Sequence, residues 1–233
     1  MAPKDPPAEA FSPDMLLVDK PSGITSFDVI RLLRKKLGVW KMGHAGTLDP
    51  LASGLMIIGV DNGTKKLAEI LFGLRTDSGD VTGKTLEEVA VPADFLAAAV
   101  FEKKVADALA KMVGTLELPV PIYSAIKRQG KKLYELARAG ATAEEIKPPI
   151  KAMQISAARV LGPVQIEKTA PDQTGQTGQK IWLRVHFAVS SGTYIRALAE
   201  ELGRRLCLPA TLRNLRRTKI GQFKIEDATK ITT

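Results

Sequence analysis

Apolar residues fall in short runs of two periods along this chain. Met15-Leu16-Leu17-Val18 is a compact apolar run closed by Asp19-Lys20-Pro21-Ser22-Gly23. The proline and glycine mark a turn, so the run reads as a buried strand entering a loop. A helix follows: Thr25 or Ser26 caps it, Val29, Ile30, Leu33 and Leu37 recur on one face, and Gly38 stops it. Residues 41–54, KMGHAGTLDPLASG, hold no sustained period and feed the strand-like LMIIGV. Asn62 to Leu71 reads as a helix, and Phe95 to Val113 as a longer one capped by Asp94 and ended by Gly114. Between them lies a Gly/Asp/Thr-rich loop, Arg75 to Gly83. The next stretch suggests a strand, a turn at Gln129-Gly130 and a short helix from Leu133 to Ala139. Strands are expected at Ile150 to Val160 and Ile181 to Val189, where Leu183, Val185, Phe187 and Val189 alternate with Trp182, Arg184, His186 and Ala188. The low-complexity TAPDQTGQTGQK between them reads as a solvent loop. A helix from Ile195 to Leu206 and a strand-like segment from Leu212 to Phe223 complete the pattern. Strands and helices mixed without a regular βαβ rhythm predict an α+β fold.

Length narrows this further. A chain of 233 residues exceeds the ~150-residue prior for one domain, which leaves one large domain or one domain with a small appendage. Residues 1–13, with four prolines, read as a flexible leader, and residues 14–233 as a single folded domain. With 45% hydrophobic and 25% charged residues the chain reads as globular. The 34 Lys+Arg against 25 Asp+Glu give a formal charge of +9, a surplus that favours polyanionic partners, nucleic acid first. One cysteine and two histidines are too few for a typical structural zinc site, and a reducing, cytoplasmic setting fits best. The polar start offers no signal-peptide core, and no apolar stretch approaches the ~20 residues that span a bilayer, so no membrane association is expected.

Charge and chemistry concentrate in three places. Residues 203–224 contain Arg204, Arg205, Arg213, Arg216, Arg217, Lys219 and Lys224 and no acid, the footprint of a phosphate backbone or a solvated face. Arg31, Arg34, Lys35, Lys36 and Lys41 form a second basic group. The loop from Gly43 to Pro50 sets His44 and a lone carboxylate, Asp49, among glycines that let backbone approach a ligand. From spacing alone Asp49 before Pro50 is explained more simply by a turn, and His44 also suits a backbone-bonded loop histidine. Ser190 to Arg196 closes a strand and opens a helix. There Arg196 can pair with a carboxylate or lie on the surface, and Tyr194 can stack on a base or fill the core. Asp77-Ser78-Gly79 is only a weak imitation of an aspartic protease motif. No Walker A loop, G-x-G-x-x-G or H-E-x-x-H occurs.

Taken together, LLVDKPSGITS (16–26), GHAGTLDPLASGLM (43–56), RTDSGD (75–80), PVPIYSAIKRQGKKLYELAR (119–138), SSGTYIRALAEELG (190–203) and LRRTKIGQF (215–223) resemble, in order, the motifs of the TruB family of tRNA pseudouridine synthases, related to the Cbf5/dyskerin enzymes. The resemblance, closer to the bacterial type, implies a pseudouridine synthase fold, a central mixed or antiparallel sheet flanked by helices. It implies isomerisation of the T-loop uridine of tRNA, conventionally position 55, with no metal or organic cofactor. Asp49 would be the catalytic carboxylate, Arg196 its partner, His44 a wedge in the T loop, and Tyr194 and Leu215 the lining of the uracil pocket. Lys20-Pro21 would support the active-site loop. The partner would be the T arm and elbow of tRNA, bound by a monomer that needs no protein partner. The alternatives are a tRNA-binding or RNA-folding protein without chemistry, and a synthase of the same family acting on another RNA.

Two departures stand out. The family carries, after the segment equivalent to Asn62 to Leu71, a loop and strand with a basic-x-Tyr motif whose tyrosine stacks on the target uracil; here Leu71-Phe72-Gly73 runs directly into RTDSGD. None of Tyr123, Tyr134 and Tyr194 can be that residue, and the expectation is a chain break close to Leu71 and Phe72, wider than the ~3.8 Å of a trans peptide. The end at Thr233, soon after GQF, implies that the C-terminal RNA-binding domain of many relatives is absent.

Overall fold

A computed structural model of the protein describes residues 11–12, 15–40, 42–58, 64–92, 97–171 and 177–231. In chain order the first elements are β1 (Phe11–Ser12), β2 (Met15–Lys20), α1 (Ser26–Leu37), β3 (Ser53–Ile58), β4 (Thr64–Phe72), β5 (Leu74–Thr76) and β6 (Thr85–Glu88). There follow α2 (Ala98–Ala110), β7 (Gly114–Pro119), β8 (Lys127–Arg128), β9 (Lys131–Lys132), α3 (Leu133–Arg138) and α4 (Ala143–Ile146). The last are β10 (Ile150–Pro171), β11 (Thr177–Val189), α5 (Ile195–Arg205), β12 (Ala210–Ile220), β13 (Phe223–Lys224) and β14 (Thr229–Lys230). The class is α+β, as the mixed rhythm predicted. By proximity the chain divides into two compact units: residues 1–67, 188–192 and 214–233, and residues 68–187 and 193–213.

In the first unit the strands lie in the order β1-β2-β3-β12. β2 runs antiparallel to β3, pairing Leu16 with Ile58 and Lys20 with Gly54. β12 joins parallel, with Arg216 opposite Ser53 and Arg217 opposite Gly54, and β14 lies parallel to β2, so the sheet is mixed. Leu55, Ile57 and Ile220 form a buried cluster, against which Met15, Leu17, Ala45 and Phe223 pack. Helix α1 starts where its caps require. The Thr25 hydroxyl accepts the Asp28 N–H at 3.1 Å and the Asp28 carboxylate accepts the Thr25 N–H at 2.8 Å. Gly38, at φ 67°, ends it in the left-handed conformation that a glycine adopts without steric cost. Val29 and Ile30 are buried, but Leu37 stays exposed at the last turn, contrary to its expected place on the inner face.

The second unit orders its strands β4-β11-β10-β7, with β10 and β7 antiparallel from Ile150 opposite Pro119 to Ile155 opposite Gly114. The alternating residues Leu183, Val185 and Phe187 of β11 are all buried, as their period demands. α2 packs on β10 and meets α5, and the Phe72 and Phe101 rings stand edge to face at 5.0 Å. α2 has Ala97 at its N-cap with no side-chain cap, and Asp94 lies outside the described residues. The expected loop before it contains half of a hairpin, β5 pairing with β6 around Asp77-Ser78-Gly79.

Three expectations are corrected. Asn62 to Leu71 is not a helix: β4 occupies Thr64–Phe72, and Ala68, Ile70 and Phe72 are buried at the spacing of two that a strand imposes. Tertiary pairing overrides the helix-forming lysines, leucine and glutamate of that segment. The strand continues unbroken through Leu71 and Phe72, so there is no chain break, and the basic-x-Tyr segment is not part of this sequence. The solvent loop between β10 and β11 is also shorter than predicted, because both strands extend into it; residues 172–176 of it lie outside the described residues, as do residues 1–10 and 13 of the leader.

Gly54 is the tightest point of the first unit. Its φ is 107°, and a Cβ there would stand 2.2 Å from the Arg217 carbonyl oxygen. Backbone strain and the clash act together, so Gly54→Ala is expected to destabilise the protein by about 3 kcal/mol or more. Urea unfolding of wild type and variant measures this, and a loss below about 1 kcal/mol would show that β3 and β12 tolerate separation.

Candidate active site

Asp49 sits on the irregular connection between α1 and β3. Pro50 follows it with φ fixed by its ring, and the Asp49 carbonyl accepts the Ala52 N–H at 3.0 Å, closing a turn at Asp49-Pro50-Leu51-Ala52. The turn reading of Asp-Pro is therefore correct, and the carboxylate, half-buried, is carried on a turn fixed from outside. The segment after β2 does the fixing. Gly23 N–H donates to the Pro50 carbonyl at 2.8 Å and Ser22 Oγ to the Leu51 carbonyl at 2.7 Å. Ser26 Oγ both donates to the Leu48 carbonyl at 3.0 Å and accepts the Leu48 N–H at 2.8 Å.

Beneath this contact lies Lys20, with no exposed surface at all. Its Nζ donates to the carbonyls of Pro21 at 2.9 Å, Ile24 at 2.7 Å and Pro50 at 3.4 Å. Three protons meet three carbonyl oxygens on two stretches of chain, which is the support expected of Lys20-Pro21. Burial lowers the ammonium pKa to about 8 against the attraction of Asp49 and Asp28. Arg217 is a second buried cation of the same unit. Its Nε donates to the Leu55 carbonyl at 2.7 Å and its Nη2 to the Gly46 carbonyl at 3.2 Å, and burial lowers its pKa to about 10.

His44 is half-buried in the Asp49 loop, and its Nδ1 is buried without a hydrogen-bond partner among the described residues. Burial first, and the charge of Arg217 second, hold its pKa below the usual 6.5, so the ring is neutral at pH 7. Leu215 is buried in β12 of the same unit.

Tyr194 and Arg196 belong to the second unit, at the start of α5. Tyr194 packs on the cluster of Val120, Leu133, Ala137 and Ile146, with Lys151 Nζ 5.8 Å from its ring centroid. Arg196 is buried, not on the surface. Nη1 donates to the Ser78 carbonyl at 2.7 Å, Nη2 to the Tyr123 carbonyl at 2.9 Å, and Nε lies 3.9 Å from the Asp80 carboxylate. Tyr123 in turn donates its hydroxyl to Asp77 at 3.1 Å. The Asp-Ser-Gly triplet thus serves as an anchor for an arginine. Sequence reasoning missed Ser26, Arg217, Tyr123 and Asp80. The acid-free run is no uninterrupted phosphate track either: Arg217 is buried, Arg216 pairs with Asp19 at 2.9 Å, Arg213 with Glu167 at 2.9 Å, and Arg204 and Arg205 each with Glu201 at 2.7 Å.

Residues 34–195 match the family described as TruB family pseudouridylate synthase (N terminal domain). The chain is 38% identical over 230 residues to the tRNA pseudouridine synthase B of Leifsonia xyli subsp. xyli, covering 94% of this chain and 70% of that one. It is 42% identical over 225 residues to the protein of the same name from Bdellovibrio bacteriovorus, covering 92% and 65%. The fold resembles the crystal structure of a Cbf5-Nop10-Gar1 complex with a TM-score of 0.59 at 24% identity, over 93% of this chain and 52% of that one. The chain therefore spans 65% to 70% of these two relatives and about half of that solved structure.

The buried ammonium of Lys20 generates a prediction about stability. Its folded pKa of about 8 lies below the usual 10.5, so between those values the unfolded chain binds a proton that the folded one does not. Stability should therefore rise with pH from about 8 to about 10.5, by at most about 3 kcal/mol, and the contribution is absent below pH 8. Lys20→Met should flatten that rise and lower stability at pH 7 by leaving the Pro21 and Ile24 carbonyls without a described donor and the Pro50 carbonyl with the Gly23 N–H alone, about 1–3 kcal/mol for each unpaired carbonyl at full cost. Urea unfolding across pH 7–10.5 measures both; an unchanged slope in the variant would assign the titration to another group.

Proposed function

The chain belongs to the TruB family of pseudouridylate synthases, and on that premise we propose that it converts the T-loop uridine of tRNA, position 55, to pseudouridine with Asp49 as the catalytic carboxylate. The observation that carries this reading is the Asp49 turn, gripped through Pro50, Leu51 and Leu48 by the segment from Lys20 to Ser26. A carboxylate held on a turn in the same loop as a neutral histidine suits a reaction that depends on positioning more than on proton traffic. The reaction is an isomerisation: the N1–C1′ bond breaks, the uracil turns, C5 bonds to C1′, and the proton lost from C5 is balanced by one gained at N1. Asp49 acts as a nucleophile or by taking a sugar proton, and both routes begin from an ionised carboxylate. Reaching the base requires flipping it out of the loop, which costs a few kcal/mol that stacking and polar contacts offset.

The remaining roles follow the family resemblance. His44, whose Nδ1 has no partner among the described residues, wedges into the T loop, and Leu215 lines the uracil pocket; for Tyr194 and Arg196 of the second unit the resemblance implies the roles of pocket residue and carboxylate partner. The protein acts as a monomer in the cytoplasm, without a cofactor or protein partner. One observation favours a second reading, tRNA binding without chemistry: the sequence has no tyrosine between Leu71 and Arg75 or anywhere before Tyr123.

An unmodified tRNA transcript incubated with the protein should gain pseudouridine at the T-loop uridine. Asp49→Asn should reduce the rate at least about 1,000-fold, equivalent to about 4 kcal/mol in the barrier, while tRNA affinity stays within about threefold. Retained turnover in the variant would remove Asp49 from the chemistry, and tight binding without conversion by wild type would establish the second reading.

A further inference from the structure

The α1 helix of the first unit and residues 38–40 after it leave an unusual set of apolar side chains in solvent. Trp40 is 76% exposed, Phe27 54%, Val39 49% and Leu37 41%. Scattered exposed apolar residues need no explanation, but here they share one short segment with exposed Arg31, Lys35 and Lys36. The helix's acid, Asp28, is already engaged by Thr25 and Arg31. The Arg31 and Arg34 guanidinium groups lie 5.5 and 5.9 Å from the Phe27 ring centroid. Arg34 Nε is buried without a hydrogen-bond partner among the described residues, while its Nη2 donates to the Met42 carbonyl at 3.3 Å, two residues before His44. Cations in a last helical turn complement the helix dipole, which accounts for the charge of Arg34, Lys35 and Lys36 but not for an indole in water.

We propose that this face is an RNA-binding surface on which the Trp40 indole stacks against an unpaired base of the substrate RNA, with Arg31, Lys35 and Lys36 on the flanking phosphates. Three observations select RNA over other occupants. Aromatic side chains among arginines and lysines fit a strand that offers both flat bases and phosphates. A second copy would bring this basic face against itself. The apolar residues of α1 that stay exposed, Phe27, Leu32 and Leu37, fall five positions apart, about 140° around the helix from one to the next, so they form no single membrane-facing stripe. Arg34 also makes the face continuous with the His44 loop. The inference rests on the proposed function, in that the RNA is the substrate, but it concerns a contact outside the reacting site.

The test uses the full chain carrying Trp182→Phe, so that Trp40 is the remaining tryptophan. An unmodified tRNA transcript should change the Trp40 emission and slow its quenching by acrylamide. Trp40→Ala should weaken tRNA binding about tenfold, the effect of about 1.4 kcal/mol, and Trp40→Tyr should recover most of it. The proposal is overturned if tRNA binds, seen by anisotropy of labelled RNA, while Trp40 emission and the affinity of Trp40→Ala stay unchanged; the proposed function then survives. Absence of both binding and conversion overturns both. Protection of Trp40 by phosphatidylglycerol vesicles but not by tRNA, or by raised protein concentration alone, overturns it in favour of a membrane or a second copy.

Discussion

An ammonium group without solvent exposure is tolerated only where its protons meet oxygens, and Lys20 meets this condition by joining two stretches of chain. It takes the carbonyls of Pro21 and Ile24 on one side and of Pro50 on the other. The bond to Pro50 is the longest at 3.4 Å, yet it fixes the position of the Asp49 turn relative to the end of β2. Because the ammonium also feels Asp49 and Asp28, the loop carrying the carboxylate and the helix cap are bound into one electrostatic arrangement. Removing the lysine leaves acceptors unpaired; replacing it by a smaller donor leaves Pro50 unreached.

A second buried cation extends the same logic. Arg217 holds the Gly46 and Leu55 carbonyls, one on the Asp49 loop and one on β3. It can lie where it does because β12 runs parallel beside β3 with Arg217 opposite Gly54, whose missing side chain admits the strand. The Asp49 loop is therefore held near both ends by charges that belong to strands, not to loops. Sites on such supports keep their geometry better than sites on free loops. Burial first, and the same charge second, lower the His44 pKa, so the scaffold also sets the protonation of that ring.

Much of this was legible in residue patterns, and the misses have physical causes. The Thr25 cap and the Gly38 stop of α1 and the alternation in β11 are local, and each came out as read. β4 did not, because a nine-residue segment with lysines, leucine and glutamate satisfies both periods and only its sheet neighbours choose. Asp49 was legible as a candidate through its loop, but its grip was not, since Lys20 and Pro50 lie thirty residues apart. Arg196 was read as a carboxylate partner or a surface residue; its buried anchoring to Ser78, Tyr123 and Asp80 is a tertiary fact that no spacing encodes.

The acid-free stretch shows how charge in sequence differs from charge on a surface. β12 is a strand, so Leu215 and Arg217 point to the same side, and that side is buried. Once Leu215 is taken as a pocket residue, the alternation already removes Arg217 from the phosphate track. Arg216, on the opposite side, meets Asp19, and Arg213 meets Glu167 while lying 4.5 Å from the Trp182 ring centroid. Counting basic residues along a strand overstates the field it offers to a ligand, because three of the four on β12, Arg213, Arg216 and Arg217, are pledged to the interior or to acids distant in sequence. The exposed and lightly paired charge of the first unit lies instead on α1, where a helix turns Arg31, Lys35 and Lys36 outward while Val29 and Ile30 face the core. A polyanion reads the exposed field, so the helix offers it more than the more basic strand.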